Sequence, residues 1–194
     1  MHQIGIVVEG PTNHAFWKRL LARLYPASCE LVDVVVARGQ GSLIRDADQH
    51  LRAHRDAGYR VTFFVVDLDS YECVRRLLDD FPDAVFRAVA VDEDACICVA
   101  VKGAESWYLA DSAAVNTVFP DASYSPASDV DLLNPKSTLQ QLGGRYDMWW
   151  LARAFGNAYD PGAAQAHSAS LGRAWRRMAP ELQRLEDDVM RGLT

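Results

Sequence analysis

Three carboxylates close two apolar runs in this chain. Ile4-Gly5-Ile6-Val7-Val8 leads into Glu9, and Phe63-Phe64-Val65-Val66 leads into Asp67-Leu68-Asp69. Uninterrupted apolar runs of this length mark strands buried on both faces of a parallel sheet. Ligands of open α/β sheets bind just beyond the carboxyl ends of such strands. Acids gathered there repel one another unless a divalent cation neutralises them. Mg²⁺ or Mn²⁺ suits this role, because a hard cation takes carboxylate and water oxygens and leaves positions open for a substrate phosphate. The plainer alternative is a pair of solvated strand ends. That two buried strands both end in acids strengthens the metal site against it.

The elements that must position these acids follow from periodicity. Gly10-Pro11-Thr12 reads as a turn and helix start, and Phe16, Leu20, Leu21 and Leu24 recur at helical spacing, which predicts a helix over 13–25. A second strand is expected over 31–37. Ser42 is a candidate N-cap for a helix reaching Ala57, closed by Gly58. The third strand covers 61–66, a short helix 71–78, and further strands 85–91 and 96–101, with a helix opening at Glu105. This alternation predicts an α/β core over 1–111: a mostly parallel sheet with helices on both faces. From Asp111 the texture changes. Residues 121–135 are rich in Asp, Ser and Pro and read as a long loop, and helical pieces follow, ending in a helix over 171–190. Residues 112–194 are therefore expected to be a loop and helical extension packed on the core.

A length of 194 residues suits one α/β domain with such an extension. The formal net charge of −6 argues against a generally basic, nucleic-acid-coating surface but leaves room for a local basic cleft. The N-terminus has no basic leader, and its apolar run is too short for a signal or membrane segment, so a cytoplasmic protein with no membrane association is expected. Cys29, Cys73, Cys96 and Cys98 show no zinc-site spacing and read as reduced thiols.

Val8-Glu9-Gly10-Pro11-Thr12 followed by a helix, then an apolar strand ending in Asp67-x-Asp69, is similar to the Toprim domain of topoisomerases, primases and old-family nucleases. Lys102-Gly103-Ala104-Glu105-Ser106-Trp107-Tyr108-Leu109-Ala110-Asp111, Asn134-Pro135-Lys136 and Gly144-Arg145-Tyr146 extend the likeness. With them the chain resembles a family of small stand-alone bacterial Toprim-like proteins of unassigned function. Many of these are thought to be encoded beside an ABC- or AAA-type ATPase, as in phage-defence systems. The resemblance implies that Glu9 is a metal ligand or general acid/base, that Asp67 and Asp69 are metal ligands, and that Glu105 completes a second metal position. Two-metal sites hold cations ~4 Å apart and stabilise both attacking and leaving oxygens. Glu105 also has a simpler explanation, since the helix dipole favours an acid in a first turn. The chain departs from the family at Asn13 and His14, at Ser70-Tyr71-Glu72, and at Met148, where a lysine is expected. Lys102, Lys136 and Arg145 are the candidates to supply phosphate-binding charge instead.

The leading expectation is thus a divalent-metal-dependent nuclease that hydrolyses DNA or RNA phosphodiesters, with an ATPase as possible partner. The alternative is a noncatalytic metal- or nucleic-acid-binding partner of an ABC/AAA-type ATPase. A receiver-like phosphorylation module fits poorly, because its acidic pair follows the first strand. Other residues have plain readings. His50 and His54 are four apart but lack the intervening glutamate of a zinc protease. The Gly39-x-Gly41 loop is weak evidence for phosphate binding. Glu72 reads as an exposed helix residue. Arg173, Arg176, Arg177 and Arg184 could face nucleic acid, but Glu181, Glu186, Asp187 and Asp188 on the same helix favour an ordinary solvated face. Trp107, Trp149 and Trp150 are expected in the core, although such rings can also stack on bases.

Overall fold

A computed structural model describes residues 3–69, 71–90, 94–126, 128–144 and 147–193. Four strands, β1 (Gln3–Val8), β2 (Val32–Val36), β3 (Tyr59–Asp67) and β4 (Ala95–Ala100), form one sheet in the order β2-β1-β3-β4. Every pairing is parallel, with Ile6 opposite both Val34 and Phe63, and Val65 opposite Cys98. The expected α/β class is therefore observed. Parallel neighbours require crossovers. They are supplied by α1 (Pro11–Leu24), α2 (Gln40–Asp56) and the pair α3 (Val74–Asp79) and α4 (Asp83–Ala90). After β4 come α5 (Glu105–Leu109), α6 (Ser112–Val118), α7 (Pro135–Gly143), α8 (Met148–Ala158), α9 (Pro161–Ala164) and the long α10 (Ala169–Met190).

Strand residues alternate between two apolar layers, as a pleat requires. Ile4, Ile6, Val8, Phe63 and Val65 face a large core built with α1, α5, α8 and α10, whereas Val7, Phe64 and Val66 face α2, α3 and α4. The first core runs from β1 through Leu185, so the C-terminal helices share its buried side chains. No helix among the described residues is long and apolar enough to cross a membrane.

Two expectations are corrected. The strand expected over 85–91 is helix α4 as far as Ala90, and Val91 lies outside the described residues. Val85 and Ala88 are buried at helical spacing, while Phe86 between them is 48% exposed. That pattern is a one-sided helix, and it lets the β3–β4 connection cross over to a parallel strand. Helix α2 starts at Gln40 with Gly39 as its N-cap, not at Ser42. Gly39 has φ +109 and so sits in the left-handed region open to glycine. Gly58 (φ +80) follows the last turn of α2, as expected.

Gly5 has a specific task on the α2 side of the sheet. His54 is buried there, its Nδ1 2.9 Å from Thr62 Oγ1 and its ring stacked on Tyr59 at 4.5 Å. A β-carbon on Gly5 would lie 2.3 Å from that ring. Since both the hydrogen bond and the stack hold the ring, Gly5→Ala is expected to destabilise by about 2–3 kcal/mol in urea unfolding. Most of the loss should disappear when the same change is made in a His54→Ala background. Equal losses in the two backgrounds would show that the clash is not the cause.

Candidate active site at the carboxyl ends of the strands

Glu9 directly follows β1, Asp67 is the last residue of β3, and Glu105 opens α5 five residues after β4. Because β1, β3 and β4 are neighbours, all three acids reach the same edge of the sheet. The Asp67 N–H donates to Glu9 Oε1 at 2.7 Å, so the first acid is oriented by the backbone of the second. The Ala104 N–H donates to Asp67 Oδ1 at 2.9 Å. Among the described residues, Glu9 Oε2 and Asp67 Oδ2 have no hydrogen-bond partner.

The approach of the third acid depends on Gly103. It has φ +95, and a β-carbon there would stand 2.7 Å from Glu105 Oε2 and 3.5 Å from Asp67 Oδ2. Glu105 Oε2 therefore occupies a space that only glycine leaves open, while Asp67 Oδ2 stands at ordinary contact distance. Glu105 is 7% exposed. The preceding Lys102 also takes a left-handed conformation, φ +61, which is uncommon for a residue with a side chain and shapes the tight β4–α5 turn.

Two further backbone contacts lock this edge. The Gly39 N–H donates to the Glu9 carbonyl at 2.7 Å, and the Gln40 side-chain amide donates to the Asp67 carbonyl. The Gly39-x-Gly41 loop thus braces the strand ends. Nothing in the sequence marks Gln40 for this role, since a glutamine in a glycine loop carries no signal of which backbone group it will meet.

The electrostatics follow from the crowding. Burial pushes the Glu9 carboxyl up to about 6, with Asp69 and Glu105 adding to the rise and the Asp67 N–H opposing it. Asp67 is driven well above the usual carboxylate range, by burial first and then by the charges of Glu9 and Glu105.

The two acids of Asp67-x-Asp69 part company. Asp67 points into the cluster, whereas Asp69 (φ +40) turns out and is exposed. It lines a cleft of about 270 Å³ with Lys102, Leu132, Asn134 and Lys136. Two phosphate-binding candidates therefore border one cleft with Asp69. Lys136 is placed there by its own sequence: Asn134 caps α7 by accepting the Ser137 N–H at 3.1 Å, and Pro135 fills the first helical position. Arg145 and Tyr146 lie outside the described residues. Met148 begins α8. Glu72 is exposed in the bend ahead of α3 rather than on a helix.

The donors are all oxygens, the type a hard divalent cation takes, and among the described residues one carboxylate oxygen each of Glu9 and Asp67 has no partner. The acids are not gathered into a ready-made coordination shell: among the described residues no group of three or more His, Cys, Asp or Glu stands close enough together to hold a metal ion. Backbone amides hold one oxygen each of Glu9 and Asp67, and Asp69 faces outward. No family model, curated protein or solved structure matches this chain.

Proposed function

We propose that this protein is a divalent-metal-dependent nuclease of the Toprim type, hydrolysing nucleic-acid phosphodiester bonds with Mg²⁺ or Mn²⁺. The observation that carries the proposal is the convergence of Glu9, Asp67 and Glu105 at the carboxyl edge of three adjacent parallel strands, with Glu9 and Asp67 both pushed toward protonation. Carboxylates so crowded are costly in a protein that holds no cation and favourable in one that does. Glu9, Asp67 and Glu105 would hold the metal, with Asp69 at the rim of the cluster. A bound cation there would activate water and neutralise charge developing on the phosphodiester.

The chain's own residues supply the rest. Gln40 and the Ala104 N–H fix Asp67, the Asp67 N–H fixes Glu9, and the cleft beside Asp69 offers Lys102 and Lys136 to substrate phosphates. Purified protein, alone and with any ATPase encoded beside it, is expected to cut DNA or RNA in Mg²⁺ or Mn²⁺ and to stop in EDTA. Lys136→Ala should weaken substrate binding and reduce its salt slope by about one, as one fewer counterion is released. Metal binding without cleavage under any of these conditions would favour the second reading, a noncatalytic partner of the ATPase.

A further inference from the structure

Trp149 and Trp150 are not in the core. They are 53% and 48% exposed, whereas Trp17, Trp107 and Trp175 are buried. Asp147 caps α8 by accepting the Trp150 N–H at 3.0 Å, which sets both indoles in the first turn of that helix. Trp150 is mounted on Phe119, with ring centroids 5.7 Å apart at 60°. Its inner part is therefore supported while its outer part stays open.

Around these rings lies a groove of about 580 Å³ that also takes in Arg19, Arg153 and Asn157. Arg153 stands four residues after Trp149, on the same face of α8. It is exposed, and its guanidinium has no partner among the described residues. Arg19 donates to Asn157 Oδ1 at 3.2 Å, a bond that ties α1 to α8 and holds the guanidinium at the groove. Gly156 brings the two helices close enough for this: a β-carbon there would meet Arg19 Cβ at 2.8 Å and the Phe16 carbonyl at 3.0 Å. The one carboxylate lining the groove among the described residues, Asp147, is already engaged as the cap. On a chain of net charge −6, this is a local concentration of flat aromatic surface and positive charge.

We infer that this groove is a platform for single-stranded nucleic acid, Trp149 and Trp150 stacking on bases while Arg153 and Arg19 meet phosphates. Aromatic rings flanked by guanidinium groups suit a polyanion whose bases have free faces. A duplex keeps those faces stacked internally. The inference rests on the nuclease reading for its purpose, and it narrows that reading to substrates with an unpaired stretch. Helix α1 connects the two places. Its first turn follows Glu9, and Arg19 lies seven residues beyond Thr12, about 10 Å along the axis.

The test uses the full chain in EDTA with a fluorescein-labelled oligothymidylate of about fifteen nucleotides, a length within the range such grooves hold. Anisotropy and quenching of tryptophan emission are the readouts. Trp149→Ala and Trp150→Ala are each expected to weaken binding about tenfold. Trp149→Phe should retain most of the affinity, and Arg153→Ala should lower the salt slope by about one. A duplex of equal length should bind more weakly than the single strand. Unchanged affinity in both alanine variants would overturn the inference and assign the exposed rings to a protein partner. Absence of binding by the wild-type chain at about 50 mM salt would overturn it too, since phosphate contacts are strongest there.

The two readings fail separately. Asp67→Asn should bind the oligonucleotide like wild type in EDTA. Platform-dependent binding without cleavage in any metal would sink the nuclease and leave the platform. Cleavage with an unchanged KM in both alanine variants would do the reverse.

Discussion

Glu9→Gln is expected to abolish metal-dependent cleavage and, at the same time, to make the metal-free protein more stable at pH 8. The two effects share one cause. Gln keeps an oxygen that can accept the Asp67 N–H but removes a negative charge that burial disfavours first and that also faces Asp69 and Glu105. Cleavage should fall by at least about a hundredfold, because a ligand and its charge are lost where the reaction needs both.

The stability change carries a sign that can be checked. In the folded protein the Glu9 carboxyl is raised from 4.5 to about 6, so between those values the native state binds more protons than the unfolded chain. Stability therefore falls as pH rises through that window, and the penalty is complete about one unit above the folded-state value. A rise of this size corresponds to about 2 kcal/mol. Glu9→Gln should gain about that much at pH 8 in EDTA and little at pH 4. Saturating Mg²⁺ should narrow the gap by stabilising the wild type alone. Asp67→Asn should move in the same directions, since burial and the same neighbours raise its carboxyl. A Glu9→Gln protein that is less stable than wild type at pH 8 would show that burial and the neighbouring acids do not disfavour the Glu9 carboxylate. The case for a cation among them would then lose its support.

Gly103→Ala should cost both fold and activity. The added carbon would stand 2.7 Å from Glu105 Oε2, at a backbone φ of +95 that L side chains rarely adopt. The carboxylate must swing away or the β4–α5 turn must shift, and either displaces a proposed ligand. Cleavage is expected to drop at least about a hundredfold, as misplacement of about 1 Å can cost that much. Thermal unfolding should report a loss of about 2 kcal/mol, combining overpacking with left-handed strain. Shortening the opposing acid, as Gly103→Ala with Glu105→Asp, should recover part of the stability without recovering cleavage. Wild-type activity in Gly103→Ala alone would remove Glu105 from the site.

Much of the frame was legible in residues alone. The apolar runs before Glu9 and Asp67 admit little but a strand buried on both faces, so their acids must emerge at its carboxyl end. The start of α7 is local chemistry, with Asn134 capping and Pro135 opening the helix, but the packing of distant segments is what sets Lys136 across the cleft from Asp69 and Lys102. The resemblance brought Glu105 into the candidate set, and the parallel order β1-β3-β4 carries it to the same edge as Glu9 and Asp67.

What periodicity and spacing could not decide were orientation and cover. Asp67 and Asp69 have the same side chain, yet one joins the cluster and the other lines the cleft, because the turn rotates Asp69 to φ +40. Residues 85–91 are apolar enough for a strand, and only the need to cross the sheet between parallel partners makes the segment up to Ala90 a helix with Phe86 outside. Trp149 and Trp150 carry the same hydrophobic surface as Trp107. Trp107 is buried because Ser170 Oγ accepts its indole N–H at 2.9 Å inside a core closed by α10. No element among the described residues closes over the first turn of α8 in that way. Burial is a property of what packs on top of a side chain, and that depends on segments far away in sequence. The sequence determined which residues would stand at the ends of strands and helices; the tertiary structure decided which of them face each other, and which face solvent.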